Sequence, residues 1–82
     1  MVGKETMANA KEIREEIADF LDRKTGQFNN ATNLADLVPD SFLLVELHAH
    51  LEHKFGVEIS SEEAASITTV GELVNRIRAG KI

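Results

Sequence analysis

Residues 36–59 read DLVPDSFLLVELHAHLEHKFGVEI, and this stretch decides the fold. Leu44, Leu47, Leu51 and Phe55 follow one another at spacings of 3, 4 and 4, which is one buried stripe of an amphipathic helix. Pro39 biases Val38 toward an extended conformation, so the chain enters that helix through a defined turn. Gly56 supplies a left-handed exit. The pattern therefore predicts a helix from Asp40 or Ser41 to near Phe55. Ser41 stands at its N-terminus, where a hydroxyl either caps the helix or sits exposed and well placed to carry an anionic group.

Working outward, three further segments read as helical. The first spans residues 9–24: Asn9 and Glu12 form a capping-box pattern, and Ile13, Ile17, Phe20 and Leu21 share a face. Gly26 is the expected stop. A long loop, residues 25–39, follows, with a polar turn-forming stretch, GQFNNATN, and three expected anchors, Phe28, Leu34 and Leu37. The third helix is short, residues 60–66, and opens with a capping box from Ser60 to Glu63. The last pairs Thr69 with Glu72 and turns Val70, Leu73, Val74 and Ile77 inward before Gly80. Gly71 weakens its first turn by up to ~1 kcal/mol relative to Ala. Val57-Glu58-Ile59 alternates but is too short for more than a connector. The expected fold is all-α: a small four-helix bundle, three helices longer and one short, with a long first loop. Residues 1–8 read as a flexible N-terminal extension and residues 9–80 as the domain. Met7 is a second candidate start, with residues 1–6 an extension before it.

Composition narrows the function classes. Eighty-two residues make one domain, which buries only about 60–65% of the surface its unfolded chain exposes. That leaves little room for a deep pocket plus a catalytic constellation. Without cysteine there are no disulfides, thiolate metal sites or cysteine nucleophile. Fourteen acids against nine bases give a net charge of -5, which argues against phosphate-backbone binding and so against a nucleic-acid partner. No apolar run approaches a membrane span, so membrane insertion is not expected, and a cytoplasmic monomer is the expected state.

The order helix, long loop, Asp36-Leu37, Asp40-Ser41-Phe42, Val45-Glu46-Leu47, Leu51-Glu52, Phe55-Gly56-Val57-Glu58-Ile59, short helix, Ile67-Thr68-Thr69-Val70, helix resembles the acyl carrier protein family over roughly residues 11–77. A lone Asp-Ser-hydrophobe triplet is weak; the same triplet with these flanks at the family's spacing is specific. The resemblance implies that Ser41 carries 4′-phosphopantetheine, donated by coenzyme A, whose thiol holds acyl groups as thioesters. It implies that Asp40 helps a phosphopantetheinyl transferase, working with Mg²⁺, engage the site. Phe42 fills the position that plugs into acyl-loading and acyl-processing enzymes, and Leu43, Val45, Glu46 and Ala49 complete the expected docking face. In the residues themselves, no His and Asp stand with Ser41 as a triad, so the chain reads as a non-catalytic carrier and a substrate of the transferase. A phosphodiester at Ser41 would lie beside free backbone N–H groups at the helix N-terminus.

Several positions depart from the family pattern. Phe42 replaces the usual Leu or Met, Leu43 a frequent acid, and Val38 the usual glycine. The second helix holds only Asp40, Glu46 and Glu52 as acids and adds His48, His50, His53 and Lys54. A specialised carrier, in a polyketide, peptide-synthetase or lipid-modifying pathway, is therefore favoured over a housekeeping fatty-acid carrier. The alternatives are an aminoacyl or peptidyl carrier, and an unmodified carrier-like helical interaction module. Glu46, His50 and His53 share a helix face at i, i+4 and i+7. A solvated or partner-facing stripe, one that makes docking pH-sensitive, outweighs a metal site there, and no metal is expected.

Overall fold

Four helices of the bundle start on a side-chain cap, at Asn9, Asp40, Ser60 and Thr69. The computed structural model describes residues 9–80; the expected extension at residues 1–8, and Met7 with it, lies outside the described residues. Within them run α1 (Ala10–Leu21), a 3-10 turn (Thr25–Gln27), α2 (Leu34–Leu37), α3 (Ser41–Phe55), α4 (Ser61–Ser66) and α5 (Val70–Ala79). The only β-pairing among the described residues is an isolated bridge between Asn33 and Thr69. The three longer helices and the short one are those expected, and α2 is a one-turn addition inside the long loop.

All three expected capping boxes form, at Asn9–Glu12, Ser60–Glu63 and Thr69–Glu72. They satisfy first-turn N–H groups that have no partner within the helix. Glu63 is held below the usual carboxylate range first by the Ser60 N–H it accepts and then by Arg76. Glu72 is held low by the Thr68 N–H, then by the Thr68 hydroxyl and the Thr69 N–H. The end of α1 differs from expectation. Gly26 is not its stop; Asp22 takes the left-handed conformation at φ 56°, and the Arg23 N–H returns to Ala18 O at 2.8 Å. Asp tolerates that conformation because its short polar side chain fits there, so the helix closes four residues early and Gly26 falls in the 3-10 turn.

Helices α1, α3 and α5 enclose the core, in which Ile13, Ile17, Leu47, Leu51, Val70 and Leu73 are fully buried. Leu44 and Phe55 pack against that core but remain partly exposed, so the α3 stripe is narrower than its spacing suggests. Phe28, Leu34 and Leu37 dock the loop as expected, and Val38 joins them. Three backbone hydrogen bonds then stitch the loop to α5 and the turn before it: Leu34 N–H to Thr68 O at 2.8 Å, Val70 N–H to Thr32 O at 2.9 Å, and Gly71 N–H to Asn30 O at 2.9 Å. A Cβ on Gly71 would meet the Asn30 Cβ at 2.9 Å and the Asn30 carbonyl oxygen at 3.0 Å. Gly71 is thus the gap through which the loop crosses α5, and the loop in turn delivers the chain to Asp40 and Ser41. Helix α4 is held differently. It buries none of its residues; the Arg76 side chain ties its region to α5, donating to Glu58 O at 2.6 Å and Glu63 Oε2 at 3.2 Å.

Candidate functional site

At the head of α3 the capping role falls to Asp40, not to Ser41. Asp40 has extended backbone and its Oδ1 accepts from the Phe42 N–H at 2.9 Å, with a longer contact to the Leu43 N–H at 3.4 Å. Ser41 is the first residue of the helix, is exposed, and enters no hydrogen bond through its side chain among the described residues. Simple capping therefore does not account for the serine; its hydroxyl is free for chemistry. The same geometry corrects one expectation. The Phe42 and Leu43 N–H groups are occupied by Asp40, so an anion on Ser41 would feel the helix dipole without claiming those two donors.

A cavity of about 440 Å³ opens beside Ser41 and runs between α3 and α4. Along α3 its wall is Ser41, Leu44, Val45, His48 and Glu52, positions i, i+3, i+4, i+7 and i+11, and Ile59 and Ala64 face them. That is a second stripe on α3, adjacent to the core stripe, and its spacing is visible in the sequence although its function is not. Since α4 contributes no buried side chain, this wall is anchored by its cap and by Arg76 rather than by packing. Such a wall opens at low cost.

The expected docking residues separate into two groups. Phe42 is 83% exposed and Val45 65% exposed, the large hydrophobic side chains most open to solvent, and Glu46 and Ala49 are exposed beside them. Leu43 is half-buried and packs against the core, so it supports the helix more than it offers a surface. Phe42 and Val45, three residues apart on α3, leave an apolar patch beside the free serine hydroxyl, of the kind partner surfaces show.

The histidines do not form one stripe. His50 Nε2 lies 2.6 Å from Glu16 Oε2 of α1, and its ring stands 5.0 Å from that of Phe20. Lys54 Nζ is 4.0 Å from the other Glu16 oxygen. His50 is therefore a tie between α1 and α3, and Glu16 is drawn out of the solvated face of α1. His53 is exposed and borders an adjoining cleft of about 660 Å³ with Glu63 and Arg76, which shares Glu52 and Ile59 with the Ser41 cavity. His48 lines the Ser41 cavity, and its Nε2 is buried without a hydrogen-bond partner. Burial holds its pKa below the ordinary 6.5, with the Glu52 carboxylate opposing. His48 shares a cavity with Ser41 but is not hydrogen-bonded to it, so no nucleophile–base pair exists there. Among the described residues, no three His, Asp or Glu side chains gather as metal ligands.

Comparison with known proteins places these features in context. The family model described as "Phosphopantetheine attachment site" matches residues 11–77. The acyl carrier protein of Helicobacter pylori (strain G27) is 40% identical over 77 residues, covering 93% of this chain and 99% of that protein. The acyl carrier protein of Wolinella succinogenes is 37% identical over 76 residues, covering 92% and 100%. That of Buchnera aphidicola subsp. Acyrthosiphon pisum (strain Tuc7) is 42% identical over 74 residues, covering 88% and 92%.

Proposed function

Because the chain belongs to the acyl carrier protein family, we propose that it delivers acyl groups on a 4′-phosphopantetheine arm joined to Ser41 Oγ. The observation that carries the assignment to Ser41 is the division of labour at the head of α3: Asp40 caps, and the Ser41 hydroxyl is left exposed and unbonded beside a cavity. The arm supplies a terminal thiol that holds acyl groups as thioesters. The chain's own residues do the rest. Ser41 offers the attachment oxygen at the positive end of α3, and the α3–α4 cavity shelters apolar cargo.

The chain is read as a substrate of a phosphopantetheinyl transferase, with no catalytic role of its own. Asp40 is the charged residue nearest the hydroxyl in sequence and serves the transferase as well as the helix. Phe42 and Val45, with Glu46 and Ala49, form the face that acyl-loading and acyl-processing enzymes engage. Such a face is small, which suits a carrier that must leave each station. His53 and Lys54 reduce its acidity toward the end of α3, which favours partners less basic than those of a densely acidic carrier and thus a specialised pathway.

The test uses coenzyme A, Mg²⁺ and a broad-specificity transferase, with the wild type beside Ser41→Ala. The wild type should gain the mass of one arm; Ser41→Ala should gain nothing while keeping the wild-type circular dichroism and melting temperature. Loading that survives the substitution would overturn the assignment. A folded wild type that no transferase loads, including that of its own organism, would favour the unmodified interaction module.

A further inference from the structure

The Ser41 cavity is walled mainly by apolar side chains, Leu44, Val45, Ile59 and Ala64 among them, yet His48 puts its ring there. Among the described residues, His48 Nε2 is the one buried side-chain nitrogen or oxygen without a hydrogen-bond partner. Two of its polar neighbours on the wall are already engaged, while the free hydroxyls of Ser41 and Ser61 do not reach it. Glu52 Oε2 accepts the Ile59 N–H at 2.6 Å, and Ser60 Oγ accepts the Glu63 N–H at 3.1 Å. A buried polar atom left unpaired calls for a reason. With its pKa lowered by burial, the ring is neutral at pH 7. A neutral imidazole nitrogen donates in one tautomer and accepts in the other. A hydroxyl satisfies either tautomer; a methylene satisfies neither.

We infer that His48 discriminates between cargoes: its Nε2 hydrogen-bonds a hydroxyl on the acyl chain, so the α3–α4 cavity takes hydroxyacyl cargo in preference to saturated acyl cargo of equal length. The inference rests on Ser41 being the attachment point. From there His48 lies two helical turns along the same wall, about 10 Å along the axis. Nε2 is already out of water, so a hydroxyl that reaches it restores a hydrogen bond, whereas a plain alkyl chain returns nothing. An amide of the arm itself is the other group able to meet this nitrogen, and it is present whatever the cargo.

Wild type, His48→Gln and His48→Leu are each prepared as the bare-arm form and loaded from octanoyl coenzyme A and from hydroxyoctanoyl coenzymes A with the hydroxyl at successive carbons. Two quantities are read: the ring ¹⁵N shifts of His48, and the rate at which hydroxylamine cleaves the thioester. In the wild type, at least one hydroxyoctanoyl form should move the Nε2 resonance and resist cleavage about five-fold better than octanoyl, the worth of one hydrogen bond. His48→Leu should bring that ratio within about two-fold, and His48→Gln, which keeps a donor and an acceptor, should retain part of it. Equal protection of all cargoes by the wild type, or the same preference in His48→Leu, would overturn the inference. So would a Nε2 shift complete on arm attachment alone, which would make the arm the partner. Absence of any loading at Ser41 is a different result: it would overturn the attachment reading, and this inference with it.

Discussion

Replacing Gly71 by Ala sets helix propensity against steric fit, and the structure decides which wins. Alanine in a helix is worth up to ~1 kcal/mol over glycine, and Gly71 is the second residue of α5, so the gain there is at most that. Against it, the new Cβ would stand 2.9 Å from the Asn30 Cβ and 3.0 Å from the Asn30 carbonyl oxygen. Carbon atoms prefer about 3.5–4.0 Å, so one strand of backbone must retreat by roughly 0.6–1.1 Å. Neither atom is the free end of a side chain. Retreat of Asn30 also stretches the 2.9 Å bond from the Gly71 N–H and loads the Val70–Thr32 bond next to it. Overpacking of this kind costs about 1–3 kcal/mol and one backbone hydrogen bond about 1 kcal/mol more. The net effect is a loss of about 1–3 kcal/mol, or about 5–25 °C in Tm for a domain of this size. Thermal unfolding followed by circular dichroism reads it directly. Adding Asn30→Gly should recover part of the loss by removing the Cβ–Cβ contact. A Gly71→Ala variant that melts at or above the wild-type temperature would refute the steric argument and leave propensity in charge.

The two roles given to Asp40 separate on substitution. Asp40→Ala should lose about 0.5–2 kcal/mol with the cap, whereas Asp40→Asn keeps the acceptor and should melt within a few degrees of wild type; its loading by the transferase should nevertheless slow about ten-fold for want of the charge. Acid should weaken the fold in two windows. The folded His48 resists a proton that the unfolded chain accepts, so stability is full above the ordinary pKa of 6.5 and falls as the pH drops below it. Glu63 and Glu72, held low in the folded chain, contribute above 4.5 and are lost as the pH falls through their lowered values. Glu52 is the one charged group on the cavity wall around His48, and the facing segment adds only Ile59, serines and alanines. Urea titrations across pH should therefore show His48→Leu losing the upper step and keeping the lower. Phe42→Ser should change stability by no more than about 0.5 kcal/mol, since the side chain is 83% exposed. Its affinity for a cognate acyl-processing enzyme, measured by titration calorimetry, should fall about ten-fold or more.

What the sequence displays is what local chemistry decides. Asn9–Glu12, Ser60–Glu63 and Thr69–Glu72 are legible as helix starts because both partners of each box lie three residues apart. The stripe through Leu47 and Leu51, and the left-handed Gly56 at φ 67°, are legible for the same reason. Where tertiary contacts decide, sequence reading fails. Leu34 and Leu37 are legible as anchors, but the single turn of α2 between them is not, because the Leu34–Thr68 backbone bond that helps hold it is no local signal. Gly71 reads as a weakness until Asn30 is seen crossing it. Of the site, Ser41 and its flanks stand out in the sequence, whereas the 83% and 65% exposure of Phe42 and Val45 is read from the fold. Spacing groups His50 with Glu46 and His53, but its partner, Glu16, is 34 residues away. His48 is on the wall of the Ser41 cavity only because α4 packs opposite, and a single helix cannot show that.

The central claim is that one particular hydroxyl, Ser41 Oγ, bears the arm. The chain has four serines, and Ser60 and Ser61 line the same cavity as Ser41. Fragmentation mass spectrometry of the transferase-loaded protein locates the arm among them. The arm should fall on Ser41 alone, the serine that follows an aspartate cap at the head of the 15-residue α3; Ser61 also follows its helix's cap, Ser60, but opens only the 6-residue α4. An arm found on Ser60 or Ser61, or shared among the serines, would contradict the assignment.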